Sequence, residues 1–300
     1  MNRFLTYIIL FCVVIAGLDL GYGFVANYLR TNAKGGETLV DNYIADISTD
    51  SVLIFGSSRA KEQYKPDIFK DTLRMSCFNC GKNGMGIICL YGIWKIISQR
   101  YTPKVIVYDI LPVLDLHVRD DNEIYINPLR PWYDVPGVDS IFRAVDHNER
   151  YQMLANSYRY HSKLMDYVKD FSHEEPLGNG YHSNGNKTIQ DIPQNFTQKL
   201  DYERDPLKLF FLEKFIQETK GKTTLIFVAS PRFMYEESGN AFAPLITLCE
   251  KYDIPFLNHY NDKKFIYEKN YYADETHFNE KGASVWSELI SHEIKSLLAK

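Results

Sequence analysis

Short apolar runs recur along the chain from residue 50 onward. The first, residues 51–55, is apolar after its opening serine and stops at Gly56, as expected of a strand that is buried on both faces. Further runs of this kind are residues 75–79, 104–108, 223–228 and 254–257. The pattern predicts five strands.

Longer segments between these runs carry apolar residues at helical spacing. They are residues 86–100, 209–219, 243–252 and the stretch from about residue 280 to the end. Alternating strands and helices indicate a parallel sheet with right-handed crossovers. The sequence therefore predicts a three-layer α/β domain over residues 50–300.

Residues 113–206 interrupt this alternation, being rich in Tyr, Asn, Pro, Gly and His, with one predicted helix over 150–168. This stretch is interpreted as a large insertion after the third strand. It leaves from the carboxyl edge of the sheet, where open parallel sheets bind ligands. The insertion either forms part of a substrate cleft or only packs against the domain.

The amino-terminal segment is apolar over residues 4–18 and again over 20–29, with Asp19 between. A membrane span needs about 20 apolar residues, so Asp19 interrupts an otherwise sufficient stretch. No small-residue cleavage site follows the apolar core, which favours a retained anchor over a removed signal peptide. A buried helix of the domain is the alternative.

We therefore predict a transmembrane anchor over residues 1–30 and a polar linker over 31–49. Arg3 precedes the apolar run and should stay in the cytoplasm under the positive-inside rule. The rest of the chain is then expected outside the cytoplasm, in the periplasm if the source is a Gram-negative bacterium.

Composition excludes several classes of protein. A net charge of −4 gives no reason to expect nucleic acid as a partner. Five cysteines fit neither a disulfide scaffold nor a zinc module, because the lone pair Cys77 and Cys80 lacks two further ligands. Buried thiols or one local disulfide are expected. Asp115 and His117 are too few for a two-metal phosphoesterase, and no cofactor or metal is implied.

A candidate nucleophile, Ser58, follows the first strand in the run Gly56-Ser57-Ser58-Arg59. A serine at a strand-to-helix turn has its hydroxyl at the open end of the sheet. Its N–H also lies near a helix amino terminus, where developing negative charge is favoured. Such turns also cap helices in many folds, so the motif alone is weak.

A second candidate segment, Asp274-Glu-Thr-His277, lies just ahead of the last helix. A carboxylate three residues before a histidine can reach the imidazole and fix its tautomer, leaving the other ring nitrogen to accept a serine proton. The alternative is an acidic turn with Asn279 as the helix cap and His277 incidental.

A third segment, residues 79–84, closes the second strand and contains glycines that let a backbone N–H approach a ligand. In this order the three segments resemble those of the SGNH/GDSL hydrolases. The resemblance covers about residues 50–112 and 207–300, and it implies a three-layer, flavodoxin-like parallel sheet.

The resemblance also implies roles. Ser58 takes the nucleophile position and donates its N–H to the oxyanion. Gly84 is a second oxyanion donor, and Asp274 and His277 complete a Ser-His-Asp triad.

One departure from the family concerns its third block, in which an asparagine donates to the oxyanion. The third strand here ends in Asp109 and offers no asparagine. Losing one such donor lowers rates by about a hundred- to a thousandfold. Asn83, Arg59 and Arg232 are candidate substitutes; the two arginines are also weak substrate-binding candidates, and both fit structural ion pairs better.

Anchored SGNH-like chains without the standard third block are similar to envelope proteins that work beside membrane-bound O-acyltransferases. This similarity implies a membrane-anchored serine esterase or O-acyl (acetyl) transferase acting on acyl esters of a cell-surface glycan. The alternative is a catalytically impaired envelope protein that binds a glycan or partners such an acyltransferase. The sequence leaves esterase and transferase both open.

Overall fold

A computed structural model describes residues 2–119, 121–190, 203–237 and 239–299. Its contacts group into two units: one comprises Met1–Ile47 and Ile126–Leu177, and the other Ser48–Tyr125 and Gly178–Lys300. Part of the predicted insertion, residues 191–202, lies outside the described residues. The predicted bounds of anchor, linker and insertion stay predictions.

The larger unit contains a sheet of five parallel strands in the order β2-β1-β3-β4-β5. The strands are β1 Val52–Gly56, β2 Cys77–Asn79, β3 Val105–Asp109, β4 Thr224–Ala229 and β5 Phe256–Asn258. The strands β1 and β3 are buried along their whole length, because helices cover both faces of the sheet. This order is the flavodoxin-like one, so the predicted parallel α/β fold is confirmed.

The α-helices of the described chain follow in order. They are α1 Asn2–Thr31, α2 Gly36–Asn42, α3 Ser58–Gln63, α4 Pro66–Leu73, α5 Ile87–Ile97, α6 Pro112–Asp115, α7 Val138–Val145, α8 Glu149–Gln152, α9 Asn156–Tyr160, α10 Leu164–Ser172, α11 Pro206–Thr219, α12 Ala243–Tyr252 and α13 Glu280–Leu298. Short helices of other types are the π-helix Tyr43–Ile47 and the 3₁₀ helices Asn122–Tyr125, Asn127–Trp132, His161–Lys163, Gly178–Gly180 and Lys269–Tyr271.

Part of the core of the larger unit is aromatic. Trp286 of α13 lies edge-on to Tyr64 and Phe265, with ring centroids 5.9 and 5.3 Å apart. All three side chains are fully buried. This packing holds α13 against α3 and α4, and it fixes the segment that precedes α13.

The smaller unit combines α1 with α2 and α7–α10. Thr38 donates from its N–H and its hydroxyl to Asp170 Oδ2, at 3.1 and 2.6 Å, which ties α2 to α10. Within the described residues, α1 is the helix that is long and apolar enough to cross a membrane. Residues 36–47, expected within a polar linker, are helical in the structure.

Candidate active site

The turn between β1 and α3 positions Ser58. Gly56 has φ +146°, and a Cβ there would lie 2.7 Å from the carbonyl oxygen of Asp109 and from the Cβ of Ala60. Only glycine fits this turn. Ser57 caps α3, since its hydroxyl accepts from the N–H of Arg59 at 3.4 Å. Ser58 is therefore the first residue of the helix, where backbone N–H groups have no partner inside the helix.

The structure brings Ser58, His277 and Asp274 together. His277 Nε2 lies 2.8 Å from Ser58 Oγ, and His277 Nδ1 lies 2.9 Å from Asp274 Oδ2. These distances fit a hydroxyl that donates to Nε2 and an Nδ1–H that donates to the carboxylate. The arrangement allows His277 to receive the proton of Ser58 while Asp274 holds the ring.

The Asp274 carboxylate is fixed by its own turn. Its Oδ1 accepts from the N–H groups of Thr276 and His277, both at 2.8 Å. Burial alone would raise the pKa of Asp274. The His277 imidazole and these two N–H groups outweigh burial and hold the pKa well below its usual range. The carboxylate is therefore ionised at neutral pH.

The same segment also caps α13. Asn279 Oδ1 accepts from the N–H of Gly282 at 3.0 Å. The helix cap and the Asp274–His277 pair, which the sequence offered as alternatives, are thus both present. Gln63, at the end of α3, donates to the carbonyl of Thr276 at 2.7 Å and so ties the turn to the helix that carries Ser58.

Glu62 is a site residue that sequence reasoning missed. Its Oε2 lies 3.9 Å from His277 Nε2, the ring nitrogen that faces Ser58. Asn184 orients this carboxylate by donating to Glu62 Oε2 at 2.9 Å and to the carbonyl of Phe278 at 3.0 Å. The available signal was the spacing, because Glu62 follows Ser58 by four residues and so lies on the same helix face.

The segment after β2 lies against the Ser58 turn. Asn79 donates to the carbonyls of Ala60 and Tyr64 at 2.7 and 2.9 Å, which anchors the strand end to α3. The N–H of Lys82 donates to the carbonyl of Gly56 at 2.9 Å. The predicted oxyanion donors Asn83 and Gly84 follow in an exposed turn, in which Gly84 has φ +71°.

Asp109 is the last residue of β3, the strand whose end carries no asparagine in this sequence. Both of its carboxylate oxygens accept from the Ser230 hydroxyl, at 2.9 and 2.8 Å, so it offers acceptors. Arg59 is buried beside them, donating to the carbonyl of Ser230 and to its hydroxyl at 2.7 Å. Burial raises the pKa of Asp109, although Arg59 and Ser230 oppose this effect. The guanidinium of Arg59 thus holds the segment after β4, which the Ser230 hydroxyl ties to Asp109 at the end of β3.

Arg232 is committed to an ion pair. Its Nη1 lies 2.9 Å from Glu236 Oε2, and Tyr260 donates to the same oxygen. Burial would lower the pKa of Arg232, but Glu236 and Tyr260 raise it overall. The next residue, Phe233, donates its N–H to the carbonyl of Glu275 at 3.0 Å, which places this ion pair next to the Asp274 turn.

The cysteine and carboxylate side chains that the sequence offered as metal ligands are buried in the core. Within the described residues, no three His, Cys, Asp or Glu side chains converge in a way that could hold a metal ion. Cys77 and Cys80 are buried free thiols, and burial raises the pKa of each. Asp115 accepts from Tyr108 and from the N–H of Leu111, both at 2.7 Å.

No family model and no curated protein sequence matches this chain. Solved structures similar to it include a protein from Parabacteroides merdae described as a GDSL-like lipase, 12% identical with a TM-score of 0.42 over 82% of this chain and 95% of that one. Another is a variant of an acetyl-xylooligosaccharide esterase from Geobacillus, 12% identical with a TM-score of 0.40 over 82% and 94%. A third is a family two carbohydrate esterase from Clostridium thermocellum in complex with cellohexaose, 11% identical with a TM-score of 0.36 over 83% and 64%. At these values the similarities are distant, and the chemistry of the site rests on this chain's own residues.

Proposed function

We propose that this chain is a serine esterase or acyltransferase that acts on ester bonds, with Ser58 as its nucleophile. The observation that carries the proposal is the continuous contact from Ser58 Oγ to His277 Nε2 at 2.8 Å and from His277 Nδ1 to Asp274 at 2.9 Å. A nucleophile, a base and a group that orients the base are the three parts that covalent acyl transfer requires.

In the proposed reaction, His277 Nε2 takes the proton of Ser58 as Oγ attacks the ester carbonyl carbon. Asp274 stabilises the imidazolium that forms. His277 then gives its proton to the departing alkoxide, which leaves the acyl group on Ser58. Water, or a sugar hydroxyl, then attacks the acyl carbon while it gives its proton to the same nitrogen. The bond between Ser58 Oγ and the acyl carbon breaks, and His277 returns the proton to Ser58.

The negative oxygen of the tetrahedral intermediate needs hydrogen-bond donors. The N–H of Ser58 at the start of α3 and the N–H of Gly84 are the proposed pair, with the side chain of Asn83 as a further candidate. Asp109 and Arg59 are engaged with Ser230 and are not assigned this role. An oxyanion hole with two donors in place of three implies a rate lower by about a hundred- to a thousandfold than that of an enzyme with all three.

The proposed substrate is an acyl ester of an extracytoplasmic glycan. The supports are the motif resemblance to SGNH/GDSL proteins of the envelope and the apolar helix α1, with Arg3 at its start. In this proposal α1 anchors the chain with its amino terminus in the cytoplasm. A membrane-bound O-acyltransferase is the proposed partner that supplies or receives the acyl group.

A catalytically impaired glycan-binding protein is the second candidate. The observation that favours it is the absence of an asparagine at the end of β3, where Asp109 presents acceptors to Ser230. Turnover of a small acetyl ester by the purified protein would contradict this candidate.

A fluorophosphonate probe tests the nucleophile directly, because it reacts with activated serines. We expect it to label the wild type and to leave Ser58→Ala unlabelled. Ser57→Ala is the matched control: it removes the neighbouring hydroxyl, which caps α3, and should keep most of the labelling. Equal labelling of the wild type and Ser58→Ala would overturn the proposal.

A further inference from the structure

The surroundings of α1 change at Asp19. Every described side chain from Arg3 to Leu18 is exposed. Beyond Asp19, one face of the helix is buried at helical spacing, through Gly23, Ala26 and Arg30. The first part of α1 thus projects from the smaller unit, and the second part belongs to its core.

Asp19 joins α1 to α9. Its Oδ2 accepts from the N–H and the side-chain amide of Asn156 at 2.8 and 3.1 Å, and its Oδ1 accepts from the N–H of Ser157 at 2.8 Å. Gly23 permits this approach, because a Cβ there would lie 2.4 Å from Asn156 Cγ. The start of α9 is therefore held at the level of Asp19 and Gly23.

The projecting part of α1 is too short to cross a bilayer alone. Residues 3–18 rise by about 24 Å at 1.5 Å per residue, whereas the hydrocarbon core is about 30 Å thick. With Arg3 at one face, the other face falls about four residues beyond Leu18, near Tyr22. The carboxylate of Asp19 then lies just inside this boundary, where an unpaired charge would be costly and its three hydrogen bonds satisfy it.

We infer that residues 154–157, the Leu154 segment, contact the outer boundary of the lipid bilayer. The Leu154 side chain is 80% exposed and lies two residues before Asn156. On α1, Leu20 and Phe24 are also exposed at this level, by 66% and 75%. Lipid is the occupant assigned to this apolar surface, because the surface continues the apolar span of α1. The inference rests on the proposed anchoring by α1.

The residues before this segment fit the headgroup layer. Tyr151 is 58% exposed, and the Arg150 guanidinium lies 4.4 Å from its ring centroid. Aromatic and basic side chains are typical of the zone between water and acyl chains. The smaller unit would thus meet the membrane at a second point beside α1, which restrains how the unit tilts.

Fluorescence quenching in full-length protein tests this contact. Leu154→Cys, in a Cys12→Ala background, is labelled with the fluorophore NBD and reconstituted into phosphatidylcholine vesicles, with or without lipid carrying a doxyl quencher at carbon 5. Glu174→Cys is the solvent control: it is exposed, and the N–H of its neighbour Glu175 bonds to the carbonyl of Lys34, beyond the far end of α1. Native Cys12, labelled in the wild type, reports on the span itself with a quencher at carbon 12.

We expect the doxyl lipid to lower fluorescence at position 154 at least twofold and to leave position 174 unchanged. Equal, weak quenching at 154 and 174 beside strong quenching at Cys12 would overturn the membrane contact and leave the anchor in place. Weak quenching at Cys12 would overturn the anchoring, and the contact with it.

Discussion

At the residue scale, His277 faces two carboxylates that differ in role. Asp274 holds Nδ1 at 2.9 Å, whereas Glu62 lies 3.9 Å from Nε2, too far for a hydrogen bond. A charge at that distance still acts on the ring, because both side chains are largely shielded from water. Glu62 should therefore stabilise the imidazolium that forms when Ser58 loses its proton.

Glu62→Gln removes this charge and preserves the acceptor for Asn184. We expect kcat/KM for a small acetyl ester to fall about tenfold, which corresponds to about 1.4 kcal/mol of lost transition-state stabilisation. Glu280→Gln, on a carboxylate paired with Lys65, is the control for general surface charge. An unchanged kcat/KM in Glu62→Gln would exclude this role.

Asp115 gives a pH-dependent term in stability. Burial raises its pKa in the folded state to about 7, although hydrogen bonds from Leu111 and Tyr108 oppose the shift. Because the unfolded value is about 4, the folded state binds this proton more tightly. The stabilisation is therefore complete below pH 4 and is lost as the pH rises through 7, by an amount on the order of 4 kcal/mol.

Asp115→Asn stays neutral and should remove that loss. Denaturant unfolding at pH 4 and pH 7 is expected to give a smaller difference in the free energy of unfolding for this variant than for the wild type. The exposed Asp71→Asn variant should leave the difference as it is. If Asp115→Asn kept the wild-type difference in the free energy of unfolding, Asp115 would not be the source of this pH dependence.

At the scale of elements, the β1–α3 turn carries the nucleophile and depends on Gly56. In Gly56→Ala, the new Cβ would have to displace the backbone carbonyl of Asp109, 2.7 Å away. We expect the free energy of unfolding to fall by several kcal/mol, about the size of severe core strain. In Gly84→Ala, nothing lies within 4 Å of the added Cβ, so only the strain of a positive φ remains, about 1 kcal/mol. Equal thermal stability of the two variants would contradict this account.

The sequence predicted these elements well where local chemistry decides them. Buried parallel strands require apolar runs, and the segments after β1 and before α13 carry recognisable polar patterns. The predicted helix over residues 150–168 instead breaks into α8, α9 and α10. The start of α9 depends on Asp19, which lies 137 residues away. Glu62 was missed for a similar reason, because its partner Asn184 comes from a distant loop without a motif.

At the scale of the whole chain, the strand order explains why distant segments meet. In the order β2-β1-β3-β4-β5, the crossovers change direction between β1 and β3, and such a point opens a crevice at the carboxyl edge. Ser58 follows β1, and the segment before α13 returns to the same edge. Under the proposed anchoring by α1, the substrates that this edge can reach are those on the side of the membrane where the rest of the chain lies.

The charge pattern around α1 predicts that side. Arg3 precedes the span and should stay in the cytoplasm, which leaves residues after Thr31 outside. Alkaline phosphatase fused after Lys300 should then be active in bacterial cells. Green fluorescent protein fused at the same position should be dark, because it does not fluoresce after export in unfolded form. Intact mass of the purified chain separates a retained anchor from a cleaved signal, since cleavage after α1 would remove about 30 residues. A bright fluorescent fusion with inactive phosphatase would place the site in the cytoplasm and exclude an extracytoplasmic glycan as its substrate.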